Sequence, residues 1–199
     1  CCWLALIRCP GYGTSAFRQA LNCVGSASQL LNFSSSDLKQ LGLKQATVDF
    51  LANPDWSSVE VDLKWLEHEN NHLITIDDPL YPSLLREIPD PPLALFVSGH
   101  AEILDTPQIA VIGSRNPSRD GKTTARNFAR ALAQPGLTIT SGLAIGIDEM
   151  GHRGALDVNG ITVAVTATGL DQIYPARHYD LAQSITENGA LVSEFPTNT

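Results

Sequence analysis

The sequence has only four cysteines, Cys1, Cys2, Cys9 and Cys23, and none after them. No histidine precedes His68, and the five histidines are scattered. Neither a C-x-x-C pair nor a zinc knuckle is spelled out, so a metal site is not expected. The thiols read as reduced side chains of a cytoplasmic protein. No apolar run approaches the length needed to span a membrane. The chain has no initial Met, and its apolar start, residues 1–7, is too short for a signal peptide and follows no basic stretch. It reads as a trimmed product rather than a lipidated terminus.

Two phosphate-binding signatures are also missing. Gly121-Lys122-Thr123 suggests a P-loop, but that loop needs a glycine five residues before Gly121, where Asn116 stands. No G-x-G-x-x-G follows the first strand of the second half. ATP hydrolysis and dinucleotide binding are excluded on these grounds, and no cofactor is expected. Positive charge is scarce as well, with 13 Lys and Arg against 21 Asp and Glu, a net charge of −8. The acidity is concentrated in residues 1–108, which hold 6 basic and 13 acidic residues; residues 109–199 hold 7 and 8. The second half therefore has room for a local basic pocket. Any anion bound there must be held by few charges and much backbone.

Residues 109–195 carry the strongest pattern present. Ile109-Ala110-Val111-Ile112 reads as a fully buried strand, apolar on both faces. A helix over 121–133 follows, with Ala125, Phe128, Ala129 and Leu132 toward the sheet. Strands over 137–140, 161–165 and 191–193 then alternate with helices over 147–158 and 179–188. This rhythm predicts a Rossmann-like parallel sheet with right-handed crossovers and flanking helices. Four parallel strands would leave one flank open, and a strand over 93–97 is expected to join the sheet.

In such a sheet ligands bind beyond the carboxyl ends of the strands. Three turns gather there: Gly113-Ser114-Arg115, Ser141-Gly142 running through Gly146-Ile147-Asp148, and Thr168-Gly169-Leu170-Asp171 followed by Tyr174-Pro175. Arginine suits the first turn because its planar fork can grip two phosphate oxygens. The glycines allow close backbone approach, and the helix start presents unpaired N–H groups. Arg177 is a second candidate phosphate contact, Arg153 lies one turn into its helix, and Tyr174 can stack a base or pack as an ordinary aromatic. Asp148 reads as structural, satisfying the helix start, and His152 as structural or rim-binding, since no nucleophile or partner accompanies it.

The first half reads as helical and broken by loops over 1–53. A linking helix (56–70), a short strand (73–76) and a Pro-rich segment then lead through 54–105 into the sheet of 106–199. Ser35 or Ser36 is expected to cap a helix ended by Gly42, although Ser36 with Lys39 does not form a capping box. Cys9-Pro10-Gly11-Tyr12-Gly13 has the look of a helix-hairpin-helix turn or of a plain helix link. Trp3, Trp56 and Trp65 read as core.

Taken together, the turns resemble one family. Ile112-Gly113-Ser114-Arg115-Asn116-Pro117-Ser118, Thr140 to Asp148, His152-Arg153-Gly154-Ala155-Leu156 and Gly169-Leu170-Asp171-Gln172-Ile173-Tyr174-Pro175 are similar to the DNA-processing protein A family, DprA or Smf, over roughly residues 70–196. The stretch from Trp65 through His72-Leu73-Ile74-Thr75 to Tyr81-Pro82 fits the family's approach to its Rossmann-like domain. The resemblance implies a cytoplasmic, non-enzymatic protein that binds and protects single-stranded DNA and loads the RecA recombinase during natural transformation. It also implies a small helical front domain of the sterile-alpha-motif or helix-hairpin-helix kind. The implied DNA contacts are Gly113, Ser114, Arg115, Ser141, Gly142, Gly146, Arg153, Gly169, Tyr174 and Arg177.

Family members continue past this point with an R-N-R-I-type segment and with further strands and helices. The chain thus reads as a fragment in which the family's homodimer contact is incomplete. Ala176 stands where some members have lysine, with Arg177 beside it, and Gly151 stands where alanine is usual. An alternative from another class is a nucleoside monophosphate phosphoribohydrolase of the cytokinin-activating LOG type, but its P-G-G-x-G-T-x-x-E segment does not occur here.

Overall fold

The computed structural model describes residues 1–10 and 14–199. Five short helices open the chain: α1 (Cys2–Ile7), α2 (Thr14–Val24), α3 (Ala27–Leu31), α4 (Ser35–Gln40) and α5 (Gln45–Ala52). They close on Leu6, Phe17, Leu30, Leu38, Val48 and Leu51. Helices this short depend on such packing and on their caps. The cap of α4 is Ser34, one residue ahead of the expected pair; its side chain accepts from Asp37 N–H while the Asp37 carboxylate accepts from Ser34 N–H, a complete capping box. Gly42, at φ +82°, ends that segment as expected. The Gly11-Tyr12-Gly13 part of the hairpin-like turn lies outside the described residues.

Helix α6 (Trp56–Leu66) starts at Asp55, which accepts from the Ser57 and Ser58 hydroxyls and from Ser58 N–H. These bonds hold its carboxyl down at about 2. The helix stops at Leu66, short of the expected Asn70. Trp65 packs edge-on against Phe96 at 5.9 Å, but Trp56 is 46% exposed on the first turn, so one of the three tryptophans is not core.

A six-stranded sheet follows in the order β1-β2-β6-β5-β4-β3. The strands are β1 (Asn71–Thr75), β2 (Ala94–Gly99), β3 (Gln108–Ala110), β4 (Thr138–Ser141), β5 (Thr162–Thr166) and β6 (Gly189–Ser193). Strands β3 to β6 are parallel and adjacent in chain order. The flank beyond β6 is closed by β2 and then β1, both antiparallel. The short helix α7 (Ser83–Arg86) lies between β1 and β2.

Right-handed crossovers between neighbours laid down in order place all their helices on one face. Clusters show this: Ile139 meets Ala129 and Ala133 of α8 (Arg119–Ala133) and Ala155 of α9 (Ile147–Leu156). Phe96, Ala164 and Leu191 meet Leu181 and Ile185 of α10 (Tyr179–Asn188), Val59 of α6 and Leu4 of α1. Helix α1 thus contributes to both the front core and the sheet core. A partly buried ion pair ties the same region together. Arg8 grips Asp62 through two bonds of 2.6 and 2.7 Å, and Asp62 also accepts from the Thr197 amide and hydroxyl.

The first parallel strand differs from its reading. Only Gln108–Ala110 is strand, it forms the outer edge, and Ile109 and Ile112 are 38% and 74% exposed. Phe128 of α8 does not face the sheet and is 65% exposed. Strand β3 has a sheet neighbour on one side only, and α8 packs chiefly on α9, where Gly154 lets the backbones meet. On the sheet face away from α8, α9 and α10, Leu84 and Leu85 of α7, Leu104, Val163, Val165 and Val192 line an open apolar groove of about 740 Å³.

Candidate functional site

All three turns expected at the carboxyl ends of the parallel strands converge. They enclose a cavity of about 190 Å³ lined by Arg115 from the first, Gly142, Ala144 and Ile145 from the second, and Thr166, Ala167, Thr168, Tyr174 and Pro175 from the third. Arg115 is exposed and makes no ion pair among the described residues. Tyr174 is 71% exposed beside it, with its ring free to receive a flat ligand. An unpaired guanidinium and an exposed aromatic on a backbone-rich hollow suit an anion carrying a planar group.

The neighbouring acids are already committed. Asp148, 8% exposed, accepts from Gly142 N–H at 3.2 Å and so fixes the turn rather than facing the cavity. Burial alone would raise the Glu149 carboxyl, but the Arg153 guanidinium and the His178 ring more than offset it and hold it below the usual carboxylate range. His152 is sealed, with Nδ1 2.7 Å from Thr162 Oγ1. Because the Thr162 hydroxyl donates to Ile139 O, Nδ1 must donate to Thr162. Burial, with the His178 ring nearby, pushes the His152 pKa down to about 3, so it is neutral and inaccessible.

The other candidate residues divide into contacts and supports. Gly142 lines the cavity, whereas Ser141 is buried with its hydroxyl donating to Val111 O at 2.7 Å. Gly146 is buried at φ +97°, and a Cβ there would lie 2.3 Å from Ser114 O. Its missing side chain lets the second turn rest on the backbone that carries Arg115; Ile147 N–H adds a bond to Ser114 O at 3.1 Å. Gly113 lies against Ile147 in the same contact. Gly169 is buried and donates its N–H to Thr199 O. Ser114 is exposed, its hydroxyl accepting from Asn116 N–H. Arg153 pairs with Glu149 at 2.9 Å, and Arg177 is exposed in the 3-10 turn Ala176–His178, outside the cavity lining. Thr166 and Ala167 lie outside the turns read from the sequence, and Ala144, Ile145 and Thr168 belong to those turns without being marked as contacts, since small or uncharged side chains carry a weak chemical signature. Their place after a strand end was the available signal.

Four adjacent parallel strands with helices on one face, and a backbone-lined hollow beyond their carboxyl ends, define a Rossmann-like fold. Sequence comparison narrows this class: the chain belongs to the DNA recombination-mediator protein A family, whose profile matches residues 72–199. It is 48% identical over 161 residues to protein Smf of Escherichia coli, covering 80% of this chain and 43% of that protein. It is 36% identical over 127 residues to DNA processing protein DprA of Bacillus subtilis, covering 63% and 43%. The chain thus spans less than half the length of these relatives. The X-ray structure of DNA processing protein A from Streptococcus pneumoniae superposes with a TM-score of 0.81 at 27% identity, covering 97% of this chain and 66% of that one. A second structure, of DNA processing protein A from Helicobacter pylori described for its single-stranded DNA binding mode, superposes with a TM-score of 0.57 at 33% identity, covering 64% and 57%. No helix among the described residues is long and apolar enough to cross a membrane.

Proposed function

We propose that this chain binds single-stranded DNA, with a backbone phosphate on Arg115 and the turn at Gly142 and a neighbouring base on Tyr174. The observation that carries the reading is the unpaired Arg115 at the mouth of a cavity made by all three strand-end turns. Gly113, Ser114, Ser141, Gly146 and Gly169 hold these turns in place, while Arg153 and Arg177 supply positive charge around them. Residues 106–199 carry the site. In the full-length protein the same site protects incoming strands and hands them to the RecA recombinase in the cytoplasm during transformation, as part of a homodimer.

The role is binding rather than bond-making. A phosphoribohydrolase reading would need a carboxylate in the cavity, yet Asp148 and Glu149 are bonded elsewhere and the family's catalytic glutamate segment is missing from the sequence. The test is a trio of proteins, wild type, Arg115→Ala and Arg115→Lys, titrated against a labelled oligothymidylate. Loss of a charge-assisted contact of about 1.5–3 kcal/mol weakens Arg115→Ala roughly tenfold or more. Lysine rescues only partly because it is a point charge without the fork. Equal affinity of all three would remove Arg115 from the site.

A further inference from the structure

The two walls of the cavity are joined behind the surface by one side chain. His178 is 2% exposed and follows the third turn directly, in the 3-10 turn ahead of α10. Its Nδ1 lies 2.8 Å from the carbonyl oxygen of Leu143, in the second turn. A carbonyl only accepts, so Nδ1 carries the hydrogen. Its Nε2 lies 3.4 Å from Glu149 Oε2 on α9, and the other oxygen of that carboxylate accepts from Arg153. Leu143 is fully buried at φ +58°, a backbone region that branched and bulky L-residues seldom occupy. Its carbonyl is therefore aimed by an unusual turn at a ring that comes from elsewhere in the chain. Ala144 and Ile145, next to Leu143, form one wall; Tyr174 and Pro175, just before His178, form the other.

We propose that His178 is a positioning residue of the single-strand site. Its Nδ1–H bond to Leu143 fixes the separation of the second and third turns. The role rests on the reading of this cavity as the DNA site, because what His178 sets is the distance between Arg115 with Gly142 on one side and Tyr174 on the other. His178 never touches the strand. Its effect reaches the ligand only through the turns.

The test separates the two ring nitrogens. The amide of asparagine falls near the place of Nδ1 and can donate to Leu143, whereas that of glutamine falls near Nε2. Backbone hydrogen exchange is read on the free protein over residues 141–146 and 166–178, and affinity on a fluorescein-labelled oligothymidylate. In His178→Ala and His178→Gln, exchange speeds up in both turns and affinity falls on the order of tenfold, the scale of one lost buried hydrogen bond. In His178→Asn both readouts return to within about threefold of wild type, while exchange in α2 to α5 is unchanged in every variant. A His178→Asn protein indistinguishable from His178→Gln would overturn the proposal, as would a His178→Ala protein whose two turns exchange at the wild-type rate. Faster exchange in variants of a wild-type protein that binds no oligonucleotide would instead sink the DNA reading, and with it the positioning role.

Discussion

At the scale of single residues, the site depends on which side chains are left free. Arg115 has no carboxylate partner among the described residues, and Asp148 and Glu149 are engaged by the Gly142 amide and by Arg153. Gly146 supports Arg115 from below rather than opening a path for the ligand. A methyl there meets Ser114 O at 2.3 Å on a backbone at φ +97°. Gly146→Ala is expected to cost about 1–3 kcal/mol of stability and to weaken DNA binding although no charge is lost. Denaturant unfolding with parallel anisotropy checks this, and unchanged stability would show that the two turns do not rest on each other. His152 predicts a pH dependence. Its folded pKa of about 3 lies below the ordinary 6.5, so the unfolded chain takes up a proton first as pH falls. Stability from this group is complete above about 6.5 and is lost as pH drops toward 3, at no more than roughly 1.4 kcal/mol per unit. Urea unfolding at pH 7 and pH 5 should show the fall, and His152→Phe should flatten it. Identical slopes in the two proteins would rule the histidine out as the source.

At the scale of elements, the close approach of α8 and α9 organises the region. A Cβ at Gly154 would lie 2.3 Å from Arg126 O and 2.8 Å from the Ala129 Cβ, so the helices meet through small residues. Arg126 then bridges to Asp157 with two bonds of 2.6 Å. Gly154→Ala should push the helices apart and cost about 1–3 kcal/mol by overpacking; a melting temperature at the wild-type value would contradict this packing. The sequence made the later elements legible because strand and helix alternate there with a glycine turn after each of the first three parallel strands, and α10 falls on the expected residues 179–188. The failures sit at the sheet edge. Four apolar residues from Ile109 to Ile112 look the same whether a strand has one neighbour or two, and only the sheet order shows that β3 has one. Phe128 was misplaced for the same reason, since periodicity marks an apolar stripe but not whether anything lies opposite it. In the site, charged and glycine positions were legible and their division into contacts and supports was not. Burial of Gly146 and Gly169 arises from loops packing on one another, and that of Ser141 from its place in the sheet.

At the scale of the whole molecule, charge and exposed apolar surface make separate predictions. The groove lined by Leu84 and Val165, which are 78% and 47% exposed, leaves a broad apolar area open on the sheet face opposite the helices. The folded protein should bind an apolar dye such as anilinonaphthalene sulfonate, and Leu84→Asp with Val165→Asp should abolish most of that fluorescence without changing DNA affinity. Dye binding that survives both changes would place the apolar surface elsewhere. The net charge of −8 gives poor long-range attraction for nucleic acid, so the binding proposed here is local and engages few phosphates. The most direct measurement is therefore fluorescence anisotropy of matched single- and double-stranded oligonucleotides over a range of salt concentrations. The account predicts preference for the single strand and a shallow salt dependence, corresponding to roughly two to four phosphates neutralised under the counterion-release rule. Equal or tighter binding of the duplex, or no binding of single strands at low salt, would contradict it.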